Sequence, residues 1–140
     1  MPSVRTIYLW LTVVLPWFSS LLYLLVPGGT IKYFGGVPTP SAKFWVQVVA
    51  SGDIVIGFLA LAGLKTRNSQ VLQLIFQAIG VYNIFHMSTF WFNHLFREAH
   101  PAGPSFYISA LIISSIACGY WGWWNPYQFD SEHIKTKIKF

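Results

Sequence analysis

The chain has 140 residues, of which 54% are hydrophobic and 9% are charged, with a net charge of +5 and a mean hydropathy of +0.51. A soluble domain carries about 25% charged residues, so this composition excludes a soluble surface and predicts one transmembrane domain over residues 1–140. The basic residues lie at the ends of apolar blocks, where membrane topology and anionic lipid explain them better than nucleic acid does.

The apolar blocks predict an all-α fold, a four-helix transmembrane bundle with helices over residues 6–26, 41–64, 69–96 and 105–124 and a surface tail over 125–140. Each helix rises ~1.5 Å per residue and is long enough to span the ~30 Å hydrocarbon core of a bilayer. Segment 27–40 holds three prolines and four glycines, which predict a connection without helix. This connection is a candidate lid or a structural loop, and Ser41 is the expected N-cap of the next helix.

The basic residues divide unequally between the two ends of the predicted helices. One end, which includes both chain termini, holds six of them, and the other end holds Lys32, Lys43 and Arg97. Cytoplasmic loops of membrane proteins carry the excess of lysine and arginine. We therefore predict that both termini lie on the inner, cytoplasmic side.

The third predicted helix carries a polar stripe. At about 100° per residue, one face holds Asn83, His86, Phe90, Asn93, His94 and Arg97. Counted from the outer helix ends, Asp53 of the second helix lies at nearly the same depth as Asn83, and His86 lies one turn further out. An ionisable group at that depth costs about 2.5–3.5 kcal/mol. We predict that Asp53 meets Asn83 and His86 inside the bundle, as a proton-relay or ligand-orienting site.

The outer part of the same stripe indicates the mouth of such a site. Phe90, Asn93, His94 and Arg97 are the candidate ligand-binding residues there. The alternative is structural, because polar residues also tie membrane helices together and are ordinary near the interface.

The sequence contains no conventional metal site. His86 and His94 are eight residues apart, about 12 Å along a helix, so they cannot share one metal ion. Either imidazole alone suffices as an axial ligand for haem or for a chlorophyll magnesium. The single cysteine, Cys118, excludes a cysteine zinc cluster and an intrachain disulfide.

The second predicted helix, with its run GFLALAGLKTR, resembles the DoxX-like family of small four-helix membrane proteins. The matching positions are Gly52, Asp53, Gly57, Leu61, Gly63 and Arg67. The family usually has glutamate where this chain has Asp53. The resemblance implies a four-helix membrane fold, and its members are linked to quinone-coupled sulfur oxidation or to receptor assembly in the secretory pathway. The chain is also similar, in size, helix number and a histidine in the third helix, to the small sterol-synthesis scaffold proteins of the endoplasmic reticulum.

Three functions are compatible with these features. The first is an accessory or scaffold subunit of a larger membrane complex, favoured by small size, 19% aromatic residues and the lack of a complete catalytic set. The second is a membrane-embedded isomerase, cyclase or quinone-linked oxidoreductase acting on a lipid- or terpenoid-like substrate, with Asp53 and His86 as acid and base. The third is a haem- or chlorophyll-binding subunit. The expected partners are the lipid bilayer, other membrane subunits or a hydrophobic small molecule, and not nucleic acid.

Overall fold

The computed structural model describes residues 3–92 and 105–126. Within these ranges the chain is all-α, as predicted. Its elements are α1 (Val4–Leu25), α2 (Pro27–Tyr33), α3 (Pro40–Lys65), α4 (Ser69–Phe92), α5 (Ser105–Gly119) and a π-helical turn, Tyr120–Trp124. Three of them, α1, α3 and α4, are long and apolar enough to cross a membrane, which is consistent with an integral membrane protein.

The prediction that segment 27–40 contains no helix is wrong, because α2 occupies its first half. Pro27 stands at the first helical position, where its missing N–H is not needed. The Val26 carbonyl accepts a hydrogen bond from the Thr30 amide at 3.0 Å. The chain leaves this short helix through Gly35, whose φ of 79° is a conformation that other residues rarely adopt.

The predicted boundaries of two other helices also need correction. The N-cap of α3 is Thr39, not Ser41, and its hydroxyl accepts a hydrogen bond from the Ala42 amide at 3.2 Å. Pro40 follows at the first helical position, where proline is favoured. The fourth predicted helix is α-helical only as far as Gly119, and the next five residues form the π-helical turn.

The long helices pair in an antiparallel register. On the α1–α3 pair, Gln47 donates to the Leu24 carbonyl at 3.3 Å, whereas a Cβ atom at Gly63 would lie 3.3 Å from Leu9. On the α4–α5 pair, Asn83 bonds Ser114, and Gln77 bonds the Gly122 carbonyl of the π-helical turn. In each pair, residue numbers rise along one helix as they fall along its neighbour.

The hydrophobic core is centred on Phe76, which has no exposed surface. Its ring lies 5.9 Å from that of Tyr8 and 5.1 Å from that of Trp121, so that α1, α4 and the π-helical turn meet there. Many large apolar side chains on the outer faces of the long helices are exposed, for example Trp10 and Phe58. A bilayer solvates such faces, so this distribution agrees with the membrane assignment.

Candidate functional site

Asp53 lies on α3 with only 4% of its surface exposed, and its carboxyl group joins three helices. Its Oδ2 atom accepts a hydrogen bond from the Ser19 hydroxyl of α1 at 2.7 Å. Its Oδ1 atom accepts one from the Tyr82 hydroxyl of α4. We call Ser19, Asp53 and Tyr82 the Asp53 cluster. Asp53 forms no ion pair with any residue of 3–92 or 105–126.

Small residues and the carbonyl group of a proline determine how the helices pack around this cluster. A Cβ atom at Gly52 would lie 3.4 Å from the Tyr82 ring, so the glycine leaves room for the tyrosine beside Asp53. The Ser19 hydroxyl lies 2.9 Å from the Pro16 carbonyl as well as close to Asp53. Ser20, the next residue, reaches the Ala50 carbonyl at 3.0 Å and holds α1 against α3 at the same level.

The predicted contact between Asp53 and Asn83 is wrong. Asn83 is 6% exposed, and its Nδ2 atom donates to the Ser114 hydroxyl of α5 at 2.7 Å. Neighbouring residues on a helix differ in direction by about 100°, so α4 turns Tyr82 towards α3 and Asn83 towards α5. The stripe proposed from the sequence therefore divides between two surfaces of α4.

His86 lies near Asp53 but forms no hydrogen bond with it. Its ring is in edge contact with Tyr82 at 5.3 Å and stacks on Phe90 at 5.2 Å. Tyr23 of α1 also lies near the Asp53 carboxyl group. Neither the His86 ring nor the Tyr23 hydroxyl has a hydrogen-bonding partner in the part of the chain that the structure describes.

His86 and Tyr23 stand on the wall of a cavity of about 370 Å³ between α1, α2, α3 and α4. Cavities of about 300–1,000 Å³ hold small molecules in proteins. The remaining wall is mainly apolar and aromatic, with Ile31, Phe34, Trp45, Val46 and Phe90 as major contributors. Asp53 is not part of the wall.

The turn after α2 lies at one edge of this cavity. The Phe34 ring lies 5.6 Å from that of Phe90 and 5.8 Å from that of Tyr107, and Ile31 of α2 is buried. These contacts join α2 to α4 and α5. That α2 moves as a lid stays a prediction.

A second polar cluster lies between α1, α4 and α5, and we call it the Asn83 cluster. Besides the Asn83–Ser114 bond, it contains the Tyr8 hydroxyl, 2.7 Å from Ser114 Oγ and 3.0 Å from Cys118 Sγ. Cys118 is fully buried and belongs to the same core as Phe76.

Three of the predicted ligand-binding residues, Asn93, His94 and Arg97, lie outside the described residues. The fourth, Phe90, is on the cavity wall. Of the two histidines considered for haem or chlorophyll, only His86 is described. Over 3–92 and 105–126, no group of three histidine, cysteine, aspartate or glutamate side chains is placed to hold a metal ion.

Sequence reasoning missed Ser19, Tyr23 and Tyr82. Tyr82 precedes His86 by four residues and therefore shares its helix face. Ser19 and Ser20 interrupt an apolar block just after Pro16, which was the available signal. The pairing of α1 with α3 that makes Ser19 a partner of Asp53 cannot be obtained from either helix alone.

Comparison of the chain with protein-family models, with curated proteins and with solved structures finds no match. The class of protein therefore follows from the structure itself: an all-α chain with three candidate membrane spans. Among these helices lie a buried carboxyl group and, beside it, a cavity of small-molecule size.

Proposed function

We propose that this protein is a multi-pass membrane protein that binds a small, mainly apolar molecule in the cavity beside Asp53. The observation that carries the proposal is a pair of groups on the cavity wall, His86 and Tyr23, that have no hydrogen-bonding partner among the described residues. Both are half-buried, and polar groups withdrawn from water in native proteins are nearly always hydrogen-bonded. A ligand with one or two polar atoms satisfies both groups while its apolar part fills the rest of the cavity.

The membrane arrangement that fits this site is a four-helix bundle. Together α5 and the π-helical turn cover residues 105–124 and supply the fourth span beside α1, α3 and α4. With both termini on the inner side, the cavity lies in the outer half of the bilayer, where α2 covers one edge. Membership of the DoxX-like family, proposed from the second predicted helix, agrees with this architecture.

A membrane-embedded enzyme is the second candidate, because a titratable side chain lies on the cavity wall with a carboxyl group behind it. In this case His86 exchanges a proton with the lipid- or terpenoid-like substrate. Asp53 acts as a positioning residue through Tyr82, since it does not line the cavity. An isomerase or cyclase needs only such a proton transfer.

The accessory-subunit proposal draws its support from the exposed apolar faces, which either lipid or another membrane protein can cover. A native gel of the protein purified in mild detergent shows whether lipid alone or another membrane protein covers these faces. A large complex of fixed stoichiometry supports a subunit, and a visible absorbance band would support the haem or chlorophyll proposal.

The ligand-binding proposal is tested by native mass spectrometry of the purified protein and of two matched variants. Val46 lines the cavity, whereas Val48 on the same helix is 42% exposed and does not. We expect the wild type and Val48→Trp to retain a co-purifying small molecule and Val46→Trp to lose it. Equal occupancy in Val46→Trp and Val48→Trp, or an empty wild type, would contradict the proposal.

A further inference from the structure

The carboxyl group of Asp53 is buried and has no positive partner among the described residues. It accepts hydrogen bonds from two hydroxyl groups, and no lysine or arginine of 3–92 or 105–126 forms an ion pair with it. His86 can carry positive charge, but its ring packs against Tyr82 and Phe90 and makes no ion pair with Asp53. Burying a charge is costly unless it is paired, so a cation held nearby would stabilise the ionised form of Asp53.

The neighbouring cavity has the wall that an organic cation requires. The aromatic residues Tyr23, Phe34 and Trp45 line it, and aromatic faces attract ammonium groups through their quadrupoles. Val49 also lines the cavity and lies four residues, about one helical turn, from Asp53 on α3. The carboxyl group and the aromatic residues of the wall therefore both favour a positively charged ligand.

We propose that the ligand of this cavity is an amphiphilic amine or ammonium compound, whose positive group lies against the aromatic wall and whose charge is balanced by Asp53 behind it. The inference rests on the proposed function, since it names the ligand class of the same cavity. The apolar part of such a molecule occupies the side of the cavity formed by Ile31 and Val46. Asp53 acts at one remove, as a charge that selects cations, and not by direct contact.

The test uses two probes of the same shape, a phenylalkyl-trimethylammonium salt and its neutral tert-butyl isostere. Binding of each is measured by calorimetry in an uncharged detergent. A cation–π contact together with a buried carboxylate is expected to favour the ammonium probe by about tenfold or more in the wild type. Because the trimethylammonium group has no proton to lose, the comparison reports on charge alone.

The matched variant is Asp53→Asn, which removes the charge and keeps the shape. Its amide oxygen can accept from Tyr82, and its amide nitrogen can donate to Ser19, whose hydroxyl still reaches the Pro16 carbonyl. We expect the preference for the ammonium probe to fall several-fold while the neutral probe binds as before, because the cation–π part of the preference remains. Trp45→Leu supplies a second variant, expected to reduce the preference several-fold without loss of the neutral probe.

The outcomes separate this inference from the proposed function. Equal binding of the two probes to the wild type, or an ammonium preference that is undiminished in Asp53→Asn, overturns the inference and leaves the cavity proposal standing. Binding of neither probe overturns the cavity proposal, and the inference falls with it. An ammonium preference that is reduced in Asp53→Asn, with unchanged binding of the neutral probe, supports both.

Discussion

Two polar clusters connect α1 to α4, and they differ in what surrounds them. The Asn83 cluster is closed, because its neutral groups find partners in one another and adjoin the core at Cys118 and Phe76. The Asp53 cluster contains an ionisable group and lies beside a cavity on whose wall Tyr23 and His86 have no described partner. Polar groups that satisfy one another hold helices together, whereas polar groups left open beside a cavity are available to a ligand.

The largest expected effect is that of a charge placed in the closed cluster. Asn83→Asp should lower the free energy of unfolding by about 2.5–3.5 kcal/mol, the insertion cost of a charge at a helix centre. The reciprocal variant, Asp53→Asn, should change it by less than about 1 kcal/mol, because the hydrogen bonds can be kept. Both are measured by denaturation in mixed detergent micelles. Equal losses of unfolding free energy in the two variants would contradict the distinction between a closed cluster and one that contains an ionisable group.

A smaller effect is expected where α1 meets α3 beside the Asp53 cluster. A Cβ atom at Gly57 would overlap the Trp17 indole, whose N–H donates to the Ile54 carbonyl at 3.2 Å. Gly57→Ala should therefore lower the free energy of unfolding by about 1–3 kcal/mol, the usual cost of overpacking. The control is Gly119→Ala, where no atom lies within 4 Å of the new methyl group, and it should cause no loss. A Gly57→Ala protein as stable as the control would contradict this packing.

The smallest effects come from removing one hydroxyl group at each end of α1. Tyr8→Phe should cost about 0.6–1.7 kcal/mol, because the hydroxyl bonds Ser114 and Cys118, and should leave ligand binding unchanged. Tyr23→Phe should leave stability unchanged and weaken binding, because Tyr23 lines the cavity and its hydroxyl has no hydrogen-bonding partner among the described residues. Thermal unfolding and probe titration of both variants test this pairing. A loss of binding in Tyr8→Phe and a loss of stability in Tyr23→Phe would contradict the assignment of a structural role to the Asn83 cluster and a ligand-binding role to the cavity beside Asp53.

The long helices could be predicted from the sequence, whereas most contacts of the site could not. Runs of apolar residues predict the long helices, because burial in lipid depends on composition over twenty residues. The depth of Asp53 also followed from counting residues along two helices. Its partners did not, because a rotation of one residue on α4 exchanges Tyr82 for Asn83, and only the packing of α3 and α5 against α4 decides between them.

Two other features depended on local rules that composition hides. Proline within a segment predicts the end of a helix, but Pro27 stands at the first helical position and begins α2. Ser19 became a partner of Asp53 only through the antiparallel pairing of α1 with α3. Such contacts between distant segments are set by tertiary packing, which the pattern within one segment does not contain.

The most direct test of the central claim, that the site beside Asp53 is open to ligand and the Asn83 cluster is closed, is thiol labelling with an apolar maleimide. The wild type offers one thiol, Cys118 of the closed cluster. Cysteine introduced at Val46 or at Val48, in a Cys118→Ser background, places the thiol on the cavity wall or on the outer face.

We predict that Cys118 is unreactive in the folded protein and that Val46→Cys is labelled and then protected by the trimethylammonium probe. Val48→Cys should be labelled at the same rate with and without the probe. Reaction of Cys118 without unfolding, or protection of Val46→Cys and Val48→Cys to the same extent, would contradict the central claim.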